Sequence, residues 1–237
     1  EITYGDWSSD VCSSDLEDPV EYSLPGISQV QVNTKKGLTF AAGLRSFLRQ
    51  DPDIMMIGEV RDGETADIAI RAALTGHLVL STLHTNDAAS AVTRMLDIGV
   101  EPYLAASSVV LSVAQRLVRV ICPKCKEMVD PDEGMRKRLD SVGLELDEFP
   151  DRKIALGKGC DFCFGSGYVD RTALYELLPV DEPVRIRVME RAGASVIKRE
   201  AIERGILRTL RMDGLNKVRD GKTTIDEVLR VTQSDEG

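Results

Sequence analysis

Residues 51–88 read DPDIMMIGEVRDGETADIAIRAALTGHLVLSTLHTNDA, and this stretch decides the fold. Ile54–Ile57 is a short continuous apolar run between turn signals, the pattern of a strand buried on both faces. Charge arrives at its end with Gly58, Glu59, Val60, Arg61 and Asp62. A helix is expected from Gly63 to Leu74, where Asp62, Glu64 and Asp67 lie near its positive end and Gly76 closes it. His77–Leu83 (HLVLSTL) reads as a second buried strand. Asn86 or Asp87 then caps a helix with Ala88, Ala91, Val92, Met95 and Leu96 inward. Strand, helix, strand, helix implies right-handed crossovers and a mainly parallel sheet, with a ligand crevice at the polar strand ends. The fold class is α/β.

The same pattern extends outward. Ser28–Asn33 (SQVQVN) alternates as a strand, and Phe40, Leu44, Phe47 and Leu48 fall at helical spacing between Thr39 and Gln50. Arg45 and Arg49 share another face of that helix. On the other side, Tyr103–Ile121 is the most apolar long stretch, but Ser107, Ser108, Ser112, Gln115, Arg116 and Arg119 interrupt it. A membrane span of about 20 apolar residues is not met, and the segment is expected to be a buried helix. After Ile121 the chain changes to cysteine pairs, a charged linker and glycine-rich turns. From about Ala173 it is expected to be helical again, with Thr224 and Glu227 at capping-box spacing before a helix over Ile225–Val231.

Asp6–Leu16 (DWSSDVCSSDL) is polar and serine-rich with no apolar period, and the pattern changes abruptly at Glu17. It resembles the in-frame translation of a sequencing-library adapter, so residues 1–16 are expected to be foreign to the fold. The division expected is therefore a partial, mainly parallel α/β core over 17–121, a four-cysteine subdomain over 122–172 and a helical subdomain over 173–237.

With 43% hydrophobic and 29% charged residues, the 237-residue chain has the composition of a globular protein. Its net charge of -9 argues against a protein whose main role is to coat nucleic acid. The absence of a secretory pattern places it in the cytoplasm by default, where thiols stay reduced. Setting Cys12 aside leaves two CxxC pairs, Cys122/Cys125 and Cys160/Cys163. Two such hairpins bring four thiolates around one ion at about 2.3 Å, the closed tetrahedron of structural zinc.

Acidic and histidine residues gather beside the expected strand ends: Glu17, Asp18 and Glu21 in EDPVEY, Glu59 in GEVRD, and His77 with His84 around the second strand. EDPVEY, KGLTFAAGLRSFLRQDPDIMMIGEVRD, TGHLVLSTLHTNDA and QRLVRVICPKC together closely resemble the type II secretion and type IV pilus assembly ATPases, of the general secretory pathway protein E type. The resemblance covers nearly all of Glu17–Thr232. It implies a partial RecA-like core, with EDPVEY as the aspartate box, IMMIGEVRD as an atypical Walker B segment and TGHLVLSTLHT as the histidine box. It also implies ATP and Mg2+ as cofactors, a zinc knuckle, a hexameric ring, and inner-membrane platform and adaptor proteins as partners.

On that basis Glu59 is the candidate for polarising the attacking water. Gly58 stands where ordinary Walker B strands carry a metal-binding Asp, so magnesium is expected to be held through waters by Glu17, Asp18 and Glu21. His77 and His84 are expected to sense the terminal phosphate or a subunit interface, and Arg45 and Arg49 to reach phosphate. No GxxxxGK[ST] segment occurs in the chain. The resemblance places that loop upstream of EDPVEY, so this chain alone is expected to turn over slowly or not at all. Competing readings are a zinc-stabilised scaffold with a degenerate nucleotide fold and a pilus-retraction motor, against which the CxxC pairs argue.

Overall fold

The computed structural model describes residues 12–233. The chain divides into two units, one reaching to Val110 and resuming over Val180–Ile197, the other spanning Leu111–Pro179 and continuing from Lys198.

In the first unit, β1 (Ser13–Glu17), β2 (Ser28–Gln31), β3 (Ile54–Ile57) and β4 (Leu78–Ser81) form one sheet in the order β2-β1-β3-β4. Every pairing is parallel, with Leu16 opposite Ile57 and Ile57 opposite Ser81. The crossovers are α1 (Phe40–Phe47), between β2 and β3, and α2 (Gly63–Leu74), between β3 and β4. Each starts at a side chain that accepts from a free helix N–H, Thr39 for α1 and Asp62 for α2. Leu16, Leu44, Met55 and Ile57 are fully buried and make the core with Phe47 and Ala72. After β4, α3 (Ala88–Asp97) is capped by Asp87, and α4 (Pro102–Ser108) opens on a proline whose missing N–H is no loss there.

The span expected to lie outside the fold contributes most of β1. Its composition runs against its position, because a central parallel strand is normally apolar. Ser13, Ser14 and Asp15 are buried, and Ser13 Oγ, Ser14 Oγ and Asp15 Oδ1 have no hydrogen-bond partner among the described residues. Each such group costs on the order of 1–3 kcal/mol.

In the second unit, β5 (Leu111–Ile121) forms most of the segment expected as a buried helix. Its sequence is rich in β-branched residues, and Ser112, Ala114 and Val118 are buried while Leu111, Val113 and Leu117 are exposed, the period of two of a half-buried strand. A short hairpin follows, β6 (Lys126–Val129) pairing with a later β7 across α5 (Glu133–Asp140); β7 is Ile154–Gly157. β8 (Tyr168–Pro179) then pairs antiparallel with β5 over nearly its whole length. Ala173, expected to start the helical region, lies inside β8 for the same reason: Leu174, Glu176 and Leu178 are buried and Tyr175 and Leu177 exposed. α6 (Glu182–Met189) lies in the Val180–Ile197 stretch of the first unit and α7 (Ala194–Glu203) starts there, while α8 (Leu210–Arg219) and α9 (Ile225–Val231) belong to the second. α8 and α9 share a core with α5 through Leu139, Leu215, Val218, Ile225 and Val228.

Thr224 caps α9, accepting from the Glu227 N–H. The Glu227 side chain does not close a capping box. It is buried and accepts from the Arg119 N–H at 3.0 Å, from Arg119 Nη2 at 2.6 Å, and from Arg230 Nε and Nη2 at 3.1 and 2.9 Å. Burial opposes its charge, but the hydrogen bonds from Arg119 and Arg230 win and hold the carboxyl at about 2. A carboxyl depressed in the folded state contributes stability that is complete above its unfolded value of 4.5 and disappears as pH falls toward about 2. A depression of that size corresponds to about 3 kcal/mol. Glu227→Gln is therefore expected to lose about 2–3 kcal/mol in denaturant unfolding at pH 7 and much less near pH 3.

Candidate functional site

In a parallel sheet every strand delivers its last residue to the same edge, and β1, β3 and β4 hand their carboxyl ends to one rim. Glu59 follows β3 there and is 9% exposed. Its Oε2 lies 2.7 Å from Nε2 of His84, which comes from beyond β4, and its Oε1 pairs with the Arg61 guanidinium. Arg61 chiefly holds the Glu59 carboxyl below its usual range, against burial, with His84 assisting. The carboxylate is thus an acceptor, and His84 presents its proton on Nε2 to it.

The rim is built closely. The Gly58 N–H donates to Leu16 O at 2.8 Å, and Thr82 Oγ1 donates to Gly58 O at 2.6 Å. A Cβ on Gly58 would stand 3.3 Å from Leu16 O and 3.4 Å from Glu17 Cα, so this position is pressed against β1. Glu17 ends β1 beside it. Asp15, on the same face of β1, pushes the Glu17 carboxyl up to about 7, with burial adding to the effect. Gln29 ties this corner together, its Nε2 donating to Asp15 at 2.9 Å, Glu17 at 3.3 Å and Tyr22 O at 3.1 Å. Asp18 is exposed and within electrostatic reach of Arg61. Glu21 is exposed, and its backbone N–H donates to the Glu17 carboxylate.

Three residues expected to serve the phosphate or a subunit interface, His77, Arg45 and Arg49, stand apart from that rim. His77 precedes β4, at the opposite edge of the sheet, where its Nδ1 lies 3.0 Å from Ala72 O and 3.2 Å from Thr75 Oγ1 at the end of α2. Arg45 lies on the exposed surface of α1, bonded to Glu64 of α2 at 2.5 Å. Arg49 is exposed in the turn that leads from α1 to β3. Conversely Arg61, Thr82 and Gln29 take part in the rim without having been singled out. The period-two position of Gln29 on a strand next to EDPVEY was the available signal.

In the second unit Cys122, Cys125, Cys160 and Cys163 bring their sulfurs within 4.8 Å of one another, the cluster of metal-ligating side chains found among the described residues. Cys122–Cys160, Cys125–Cys163 and Cys160–Cys163 are separated by 3.9, 3.8 and 3.8 Å. Four sulfurs at about 2.3 Å from a tetrahedral centre would lie about 3.8 Å apart, so the donor set fits zinc. Gly157 and Gly167 let the two hairpins meet, since a Cβ on Gly157 would lie 2.0 Å from Gly167 O. The Gly159 N–H donates to Cys125 Sγ, and the Cys160 and Gly167 N–H groups donate to Cys163 Sγ, at 3.2–3.3 Å. Burial raises Cys163, but those two N–H donors bring it down to about 6. Burial, with the neighbouring sulfurs, pushes Cys125 up to about 12. A cation held at the centre would favour the thiolate form of its ligands.

Residues 8–230 match the family model described as Type II/IV secretion system protein. The chain is 51% identical over 217 residues to the Type IV pilus assembly ATPase PilB of Thermus thermophilus, covering 92% of this chain and 24% of that protein. It is 49% identical over 220 residues to the Type II secretion system protein E of Aeromonas hydrophila, covering 93% of this chain and 42% of that protein. The chain thus spans less than half the length of these relatives. Among solved structures, the pilus retraction motor PilT with bound ADP shares its fold with a TM-score of 0.65 at 24% identity, covering 94% of this chain and 53% of that one. The Legionella pneumophila ATPase DotB does so with a TM-score of 0.62 at 23% identity, covering 92% and 50%. On the strength of a family model that spans nearly the whole sequence, this chain belongs to the type II/IV secretion system protein family.

Proposed function

We propose that this chain is part of an ATP-hydrolysing motor of a type II secretion system, acting from the cytoplasmic side of the inner membrane. The observation that carries the reading is Glu59, a nearly buried carboxylate kept ionised by Arg61 and bonded to His84 at the carboxyl rim of a parallel sheet. Phosphoryl transfer to water requires an oriented nucleophile and compensation of the negative charge spreading over the phosphoryl oxygens. Glu59 accepts a hydrogen bond from the attacking water and directs its lone pair. His84 and Arg61 fix the carboxylate, and Arg61 supplies positive charge beside it. Glu17, Asp18 and Glu21 offer the hard oxygen donors that suit Mg2+ and would hold it through waters.

His77, at the far edge of the sheet, suits the subunit-interface role better than contact with phosphate. Arg45 and Arg49, on an exposed helix surface, reach phosphate only across a subunit boundary. Hydrolysis would then open and close neighbours in a hexameric ring that pushes on an inner-membrane platform protein. No described helix is long and apolar enough to cross a membrane. Type IV pilus extension is the second reading, favoured by the 51% identity to PilB, and the genes flanking this one separate the two.

In this reading Cys122, Cys125, Cys160 and Cys163 hold a structural zinc, which supplies no chemistry to hydrolysis because its four positions are filled. Protein purified under reducing conditions should contain one zinc per chain. Chelation should raise hydrogen exchange across Cys122–Cys163 while leaving β1–β4 protected. Metal-free protein with the same exchange pattern would refute the assignment.

The motor reading makes two further predictions. The 237-residue chain, which contains no GxxxxGK[ST], should show no robust ATP hydrolysis. In a version extended upstream to include that loop, Glu59→Gln should lower turnover by about 10²–10⁴-fold with the melting temperature retained. Unchanged turnover would instead support a non-catalytic scaffold.

A further inference from the structure

In the β5–β8 ladder Arg119 stands directly opposite Arg171. Like charges facing each other across two strands repel, so this pairing is unfavourable unless something negative sits over it. Arg230 of α9 joins them, and with Leu117 the three arginines line a cavity of about 530 Å³. Glu227 is the carboxylate that meets them, and it bonds to Arg119 and Arg230. Arg171 makes no ion pair among the described residues. Three guanidinium groups against one carboxylate leave two positive charges uncompensated in a concave site. Arg119 is also fixed in place, its guanidinium lying 4.2 Å above the Tyr168 ring.

We propose that this cleft binds a phosphate group. A dianionic phosphate matches the excess of two charges, and planar guanidinium forks bind its oxygens in pairs. The chain's net charge of -9 disfavours an extended nucleic-acid backbone as the occupant. Two sources carry the same chemistry, a soluble phosphate ester and a phospholipid headgroup. The site belongs to the second unit and uses none of the rim residues, so it stands or falls independently of the motor reading.

The test uses the 237-residue chain, its Arg171→Ala variant and, as a second substitution, Arg171→Gln. Thermal unfolding is followed against inorganic phosphate at constant ionic strength, and co-sedimentation against vesicles with and without anionic phospholipid. Without phosphate the variants should melt at or above the wild-type temperature, because the cross-strand repulsion is gone. The wild type should be stabilised by phosphate as mass action requires, and the variants should need at least about tenfold more. Arg171-dependent sedimentation with anionic vesicles alone would assign the headgroup, and an Arg171-dependent phosphate response without it would assign a soluble ester. A wild type that responds to neither probe, or variants that respond as the wild type does, would overturn the proposal.

Discussion

A carboxylate at the end of an apolar strand keeps its charge only if cations and donors meet it there, and Glu59 satisfies that condition on both oxygens. Arg61 engages one and His84 the other, so the residue remains an acceptor although it is nearly buried. The arrangement depends on the strands around it. β3 delivers Glu59 to the rim, β4 leads on to His84, and the press of Gly58 against β1 sets how deep the carboxylate lies. A one-residue slip in register would turn each strand's side chains to the opposite face of the sheet.

The second unit handles buried charge by a related logic. Glu227 is stable as an anion because two arginines and a backbone N–H surround it, and four thiols lie at zinc spacing because glycines let two hairpins touch. At Glu227 desolvation is offset by Arg119 and Arg230, and a cation would do the same for the four sulfurs. Arg171 lacks such a partner among the described residues, which is why it points to a ligand from outside the chain.

Much of this was readable from residues alone. The run Ile54–Ile57 and the helix Gly63–Leu74 carry their own boundary signals, and the CxxC spacing is local, so neither needed tertiary information. Leu111–Ile121 differs from the buried helix expected of a long interrupted apolar stretch, because length and apolarity alone do not distinguish helix from strand, and pairing with β8 makes the period two. His77 and His84 flank one strand, yet a stretch of that length separates them by roughly 20 Å, so only His84 reaches Glu59. The roles of Arg61 and Thr82 arise from strand order. The burial of Ser13–Asp15 has no compositional signal, since their place in the sheet is set by the strands on either side.

The central claim is that Glu59 and His84 face the terminal phosphoryl group of a nucleotide. NMR of the Glu59 carboxylate and the His84 ring, in protein extended upstream to include the phosphate-binding loop, tests it directly. Both signals should shift when a non-hydrolysable triphosphate replaces the diphosphate. Identical signals with the two nucleotides would contradict the account.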